Sequence, residues 1–518
     1  MRRWESWGWP IAAVGVGLLA IVWRFQTIEQ RPLWFDERFT AKEVARASGF
    51  GDLWRAAAAD DYQHPPLAYA PAWISAHGAE TPFRLRLPSA LAGLASIGLL
   101  AALGTLLFER WTGLLAAFLM AISIYHVDFS QEARPYMMGL ALTLAQYAAL
   151  FAYLTPAIPT TQRAARWLLV AFASAAVAAI YTYHLAIVHL GVAVAVAIAA
   201  AWSPQREARA RAGGLGLAFA WIALALVPEV ANLRGFAAAR GLASDHVLAV
   251  GPRFLDALCT RWASGEGWVT RLYEAAFAVG GLRIAWRRDA IALGLLGWAA
   301  APFAVFALVP FSKYFDIRFL ISALPVFFLS AAAGAGGVAH AVARLAARGS
   351  PRLAPAAVHA AVLGVFAVAV AIPALRLYER FRATDTRCGE FVIRPEVIEA
   401  NDHFCADHLV LSTIYAPQQF IVRNLRPSVW LDAGRLDAYV GGYRFENGPP
   451  IEIRRSGDHL TAQVEGLPEY ELVPESETRF FYRVLGHRTL TFERDEAGRF
   501  GSLWLETNGN GARARRVR

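Results

Sequence analysis

Four short segments of this sequence hold side chains able to do chemistry, each with charges beside aromatics. The first reads Leu33-Trp34-Phe35-Asp36-Glu37-Arg38-Phe39-Thr40. Adjacent carboxylates among large apolar residues are costly to desolvate, and a partly buried carboxylate can serve as general base toward a hydroxyl. Asp36 can equally cap the helix that starts near Phe39. The second reads Asp60-Asp61-Tyr62-Gln63-His64-Pro65-Pro66-Leu67-Ala68-Tyr69. Its prolines suit an extended lead into a first helical turn. His64 could contact a phosphate or a sugar hydroxyl, or simply cap the helix. Two neighbouring carboxylates without further ligands make a weak metal signal, so no cofactor is implied and a divalent metal, although possible, is not indicated.

The third segment is Phe129-Ser130-Gln131-Glu132-Ala133-Arg134-Pro135-Tyr136. Pro135 opens an apolar run, so the positive end of that helix meets Arg134. A guanidinium added to free helix N–H groups makes an anion site suited to a phosphate leaving group. The plainer reading pairs Arg134 with Glu132 or a lipid headgroup. The fourth is Phe311-Ser312-Lys313-Tyr314-Phe315-Asp316-Ile317-Arg318-Phe319. Lys313 and Arg318 offer a second anion-binding contribution, or snorkel to the membrane surface.

The elements that must carry these loops are membrane helices. Of 518 residues 56% are hydrophobic and only 18% charged, a composition that would leave a soluble protein with too much exposed apolar surface. Apolar runs of about 17–25 residues, each able to cross the hydrocarbon core, predict about eleven spans at 9–25, 86–108, 112–126, 136–154, 166–183, 185–202, 214–232, 269–286, 289–310, 319–344 and 355–376. The first is read as an uncleaved span, because Trp23-Arg24-Phe25-Gln26 follows its apolar run Trp9 to Val22 where a signal peptide would have small residues. Arg110, Arg163, Arg166, Arg206, Arg209, Arg211, Arg283, Arg287, Arg288, Arg344, Arg348 and Arg352 fall in alternate connections. The positive-inside rule then puts the N-terminus in the cytoplasm and the four candidate segments on the outer face. The net charge of +9 reports this topology and not a nucleic-acid surface.

After residue 376 the sequence changes character. A connecting segment at 377–436 contains Cys388 and Cys405, which in an oxidising compartment could form a disulfide worth about 3 kcal/mol or remain two buried thiols; Cys259 has no obvious partner. From 437 to 518 short alternating runs (Ile451-Glu452-Ile453-Arg454, Leu460 to Val464, Phe480 to Val484, Leu490-Thr491-Phe492) are separated by turn signals such as Ser456-Gly457-Asp458. This period-two pattern predicts a small antiparallel β-domain. The Arg-rich end, Ala512 to Arg518, reads as a disordered basic tail.

Asp36-Glu37 after the first span, His64-Pro65-Pro66-Leu67, Arg134-Pro135-Tyr136 and Arg318-Phe319-Leu320 before Pro325 together resemble the GT-C superfamily of membrane glycosyltransferases. The likeness is greatest to the branch with protein O-mannosyltransferases, aminoarabinose transferases and lipopolysaccharide-core transferases. It covers residues 1–376; the departure is Arg38, where some relatives carry Ala, Thr or Val. The resemblance implies an inverting transfer from a polyprenyl-phosphate sugar to a hydroxyl of a glycan, lipid or protein, on the periplasmic face of a bacterial inner membrane. Asp36 would be the base, with Glu37 orienting it or the acceptor. Arg134, Lys313 and Arg318 would hold the donor phosphate, and His64, Tyr69, Glu132 and Tyr136 would line the site. The β-domain is similar to the lipocalin-like accessory module of serine β-lactamase-like hydrolases, through Tyr439-Val440-Gly441-Gly442-Tyr443, the run Leu472 to Phe481, and Thr491-Phe492-Glu493-Arg494-Asp495. No Ser-x-x-Lys motif precedes it, so a hydrolase is not implied. Two rival readings remain: a transporter or flippase of lipid-linked sugars, against which the nearly charge-free spans and lack of internal repeat speak, and a non-catalytic receptor with a binding β-domain.

Overall fold

The computed structural model describes residues 2–30, 33, 35–60, 65–79, 81–155, 161–230, 232–234, 246–248, 250–265, 267–308, 317–350, 354–383, 421–423, 431–446, 448–457, 459–464, 469–482, 488–507 and 510–517. It divides into two compact units, one of residues 1–237, 251–305 and 317–393, the other of 238–250, 306–316 and 394–518.

The first unit is helical. All eleven stretches expected to span form helices, two of them bent. Among the described residues eight helices are long and apolar enough to cross a membrane, or ten if each bent pair is one span. The eleventh, Trp268–Ala285, carries Arg271, Glu274 and Arg283, too much charge for an independent span. Exposed apolar side chains such as Leu18, Leu217 and Val365 face outward as lipid-facing residues do, and Trp167, Trp202, Trp268 and Trp286 stand exposed at helix ends, where interfacial aromatics belong.

Close packing within this unit relies on small residues. A side chain at Gly280 would meet the Ser330 carbonyl, and one at Gly334 the Ala276 carbonyl, each within 2 Å. The Trp268–Ala285 and Leu324–Gly349 helices therefore touch backbone to backbone. Helix α5 (Pro82–Leu107) begins on a Thr81 cap that accepts from the Arg84 amide at 3.3 Å. It packs on α6 (Arg110–Ala121) through Gly104 and Gly113.

Between α6 and α7 (Ile124–Ser130) the chain turns by 67°. Such a break frees carbonyls that must be satisfied inside the protein. Fully buried Arg24, at the end of α1 (Arg2–Phe25), does this, donating to Ala121 O at 3.2 Å and Met120 O at 3.4 Å. Arg24 also lies 2.7 Å from His126 Nδ1, which must then accept, leaving Nε2–H to face Ser96 Oγ at 2.9 Å.

In the second unit eight antiparallel strands close into a barrel in the order β10-β3-β4-β5-β6-β7-β8-β9. The strands are β3 (Gly441–Phe445), β4 (Pro450–Ser456), β5 (His459–Val464), β6 (Glu469–Pro474), β7 (Arg479–Tyr482), β8 (Arg488–Arg494), β9 (Phe500–Thr507) and β10 (Asn510–Arg516). Two further strands, β1 (His246–Leu248) and β2 (Ile421–Arg423), pair with each other. Inward residues alternate as the sequence predicts: Tyr443, Ile451, Ile453, Leu460, Ala462, Leu490, Phe492 and Leu503 fill the barrel. Tyr439 stacks on Phe500 with centroids 4.3 Å apart.

The expected disordered tail is overturned. Residues 510–516 are β10, which pairs with β9 and β3 and completes the closure. Ala512-Arg513-Ala514-Arg515 alternates with period two; Ala514 is buried, while Arg513 and Arg515 reach Glu493 and Glu446 at 2.5 and 3.3 Å. Strand pairing removes the open edges of β3 and β9, a gain that outweighs the local repulsion of the arginines.

Candidate active site

Asp36 lies in the first turn of α2 (Phe35–Arg46). Arg318 comes from a 3₁₀ turn (Ile317–Ala323) that leads into the Leu324–Gly349 helix. The two meet far apart in sequence: Arg318 Nη1 donates to Asp36 Oδ2 at 2.5 Å, both side chains largely shielded from solvent. Arg134, just before α8 (Tyr136–Leu154), donates from Nη1 to the Asp36 carbonyl at 3.2 Å. Glu132 Oε1 stands 3.9 Å from Arg318 Nη1. Tyr136 closes the group, its ring 5.2 Å beneath the Arg318 guanidinium and edge-on to Phe129. Five expected residues, Asp36, Glu132, Arg134, Tyr136 and Arg318, thus share one locus.

Glu37 sits beside this group with a different set of partners. It is 1% exposed and grips Arg86 with two bonds, Nε to Oε1 at 2.8 Å and Nη2 to Oε2 at 2.7 Å. Its Oε1 also accepts from the Ala133 amide at 2.7 Å, and Arg86 donates to Ile28 O at 2.8 Å. The Thr40 hydroxyl adds a bond to Ala133 O at 2.8 Å. Glu37 therefore ties together α2, the segment after α1, the start of α5 and the loop that carries Arg134. A forked guanidinium–carboxylate pair fixes geometry as well as charge. Arg86 escaped the sequence reading because it stands where an apolar run begins and reads as topology; its signal is an ionisable residue inside such a run.

Tyr69 packs in a separate buried cluster with Ala47, Leu53, Ala68 and Ala70. His64, Lys313, Cys388 and Cys405 lie outside the described residues. Cys259 is a buried free thiol, its Sγ 3.8 Å from Thr270 O.

Electrostatically the site holds two acids in different states of use. Burial pushes the Glu132 carboxyl well above the ordinary range, with Arg318 opposing and the neighbouring acids Glu37 and Asp36 adding to the rise. Asp36 has its Arg318 partner within direct contact and is more open. A carboxylate paired with one guanidinium, with a second guanidinium on its own backbone carbonyl and the start of a helix beside it, can take a proton from a hydroxyl while the cations receive a departing anion.

The family comparison agrees with the class expected from the loops. The profile of the family described as dolichyl-phosphate-mannose-protein mannosyltransferase matches residues 63–231, which include Glu132, Arg134 and Tyr136. A domain of unknown function, DUF3471, matches residues 425–513, which take in most of the barrel. No curated protein matches. Among solved structures, ArnT from Cupriavidus metallidurans in the apo state is similar at 16% identity and TM-score 0.49, over 80% of this chain and 75% of that one. ArnT from the same organism bound to undecaprenyl phosphate gives 17% and 0.46, over 79% and 76%. The archaeal oligosaccharyltransferase AglB from Archaeoglobus fulgidus, in complex with an inhibitory peptide and a dolichol-phosphate, gives 12% and 0.47, over 73% and 56%. The resemblance to membrane glycosyltransferases is borne out by the family match, and the chain is an integral membrane protein with an appended β-barrel.

Proposed function

We propose that this protein is an inverting glycosyltransferase that moves a sugar from a polyprenyl-phosphate donor to an acceptor hydroxyl on the outer face of a bacterial inner membrane. The acceptor oxygen attacks the anomeric carbon, its proton passes to Asp36, and the bond from that carbon to the phosphate oxygen breaks. The lipid phosphate leaves with one more negative charge, which Arg318 and Arg134 receive, joined by Lys313. Such fixed cations stabilise charge that grows in the transition state. Glu37 acts as a positioning residue, holding the loop of Arg134 against the helix of Asp36.

The observation that carries this reading is the convergence of Asp36, Arg134 and Arg318 from three distant segments. The family match over residues 63–231 supports the donor class. A flippase would use charge near mid-span, whereas these groups sit at helix starts and in loops.

The test is turnover of a polyprenyl-phosphate sugar by purified protein in nanodiscs. Asp36→Asn preserves shape and removes the base, so the rate should fall about 10²–10⁴-fold with the protein still folded. Wild-type turnover by this variant would remove Asp36 from the role.

A further inference from the structure

Beyond the transfer site, the unit contains a second cluster of ligand-type side chains. Helix α5 is 26 residues long, about 39 Å at 1.5 Å per residue. Arg86 lies near its start and Glu109 just past its end. At that far end Glu109 meets His340, late in the Leu324–Gly349 helix, and His359, early in the Pro355–Ala383 helix. One donor atom from each lies within 4.8 Å of the others.

We propose that Glu109, His340 and His359 form a binding site for a borderline transition-metal cation of the Zn²⁺ class. His359 Nε2 stands 3.4 Å from Glu109 Oε1; a tetrahedral ion with ligands at ~2.0–2.1 Å spaces its donors roughly 3.3 Å apart. His359 is only 8% exposed, yet its buried Nε2 has no hydrogen-bond partner among the described residues. A buried imidazole nitrogen 3.4 Å from a carboxylate oxygen, with no hydrogen bond among the described residues, is what a site holding a cation would require. His340 Nδ1, 3.7 Å from the same oxygen, donates to Gly336 O at 2.8 Å. Binding a metal through this nitrogen moves the ring proton to Nε2 and replaces the bond to Gly336 O. The Thr112 hydroxyl donates to Glu109 Oε1 at 3.3 Å, an outer support of the kind metal-binding carboxylates have.

The donor set selects among ions. Two imidazoles and one carboxylate suit zinc, cobalt or nickel, whereas magnesium and calcium prefer oxygen alone. Three protein ligands leave a fourth position for water. Of the cations around the site, Arg283 donates from Nη1 to Ala333 O at 3.0 Å with its guanidinium over the Phe108 ring, and Arg344 donates to the backbone carbonyl of His340 at 3.4 Å, so these hydrogen bonds of both go to other groups. Gly336 keeps the space open, since a side chain there would come within 2.9 Å of Thr112 Oγ1 and 3.7 Å of Glu109 Oε1. A bound ion would fasten the α5–α6 connection to both of the helices that supply the histidines. One of those helices begins at the turn that supplies Arg318 to the transfer site.

The experiment uses the full-length protein in detergent, stripped with a chelator and then given zinc. Wild type should retain one equivalent more zinc than His340→Gln or His359→Gln, by elemental analysis after gel filtration. Its melting temperature should rise with zinc where theirs does not. Magnesium should produce neither effect. If a histidine variant fails to fold, cobalt substitution of wild type still decides: a tetrahedral Co²⁺ absorption spectrum that zinc abolishes supports the site. Equal zinc content in wild type and both folded variants, or an octahedral Co²⁺ spectrum, overturns it. None of these readouts depends on transfer activity, so failure here leaves the transferase reading untouched.

Discussion

Arg86 and Arg513 are both held by a glutamate, at 2.7 and 2.5 Å, but in opposite surroundings. The Arg86–Glu37 pair is sealed within the helical unit, 3% and 2% exposed, while Arg513–Glu493 lies open on the barrel at 53% and 39%. Bond length alone would rank the second pair higher. The dielectric around each pair reverses that order: breaking a buried pair strands a charge, whereas water and salt replace most of what an exposed pair contributes. In the helical unit charge is scarce and each buried pair joins segments distant in sequence, as His184 and Glu229 do at 2.8 Å. On the barrel, charges meet over an intervening strand, as Arg454 of β4 and Glu469 of β6 do across β5.

The sharpest way to break this contrast is Arg86→Met, which leaves Glu37 buried without its forked partner. It should cost about 3–5 kcal/mol of stability, read as lost thermal resistance in detergent. Adding Glu37→Leu should recover much of that stability, yet not the transfer rate if Glu37 holds the Arg134 loop in place. Next in size is Arg318→Lys, which keeps charge and loses the planar fork; a lost charge-assisted bond of about 1.5–3 kcal/mol should raise KM for the lipid donor roughly tenfold or more.

A smaller effect is expected from Glu132, whose carboxyl burial holds above the ordinary range. In the unfolded chain this group ionises from about pH 4.3; in the fold it stays protonated to higher pH. Its contribution is fully present below the unfolded value and fades as pH rises through the folded one. Glu132→Gln, which imitates the protonated acid, should flatten that part of the melting temperature against pH curve and fold normally. The smallest effect should come from Arg513→Ala on the barrel, about 0.2–1 kcal/mol and diminished further by salt. A loss there as large as that of Arg86→Met would erase the distinction between the two regions.

How much of this was legible depended on whether a residue's meaning is local. Barrel strands announce themselves by alternation, and Ile451 to Ile453 and Leu490 to Phe492 could be placed without any knowledge of their partners. Asp36, Arg134 and Arg318 stood out because charge beside aromatics at the mouth of an apolar run has few cheap explanations. Arg86 did not, because an arginine at a span boundary is ordinary until its glutamate is known. The arginines of β10 were read as a solvated tail because net charge masked the Ala–Arg alternation beneath it. Glu109, His340 and His359 are joined only by the fold, and no spacing rule links positions so far apart.

The glycine contact between the Trp268–Ala285 and Leu324–Gly349 helices bears on how the protein is made. The earlier helix emerges from the ribosome with three charges among its 18 residues, a load that disfavours leaving the translocon for lipid alone. The later helix supplies the surface at Gly334 and the carbonyl of Ala333, which accepts from Arg283. The earlier helix can therefore settle only after its partner has been synthesised. Membrane integration here is a cooperative event spanning some 80 residues (268 to 349), and a bulky residue at Gly280 or Gly334 would first appear as a biogenesis defect, before any assay of chemistry.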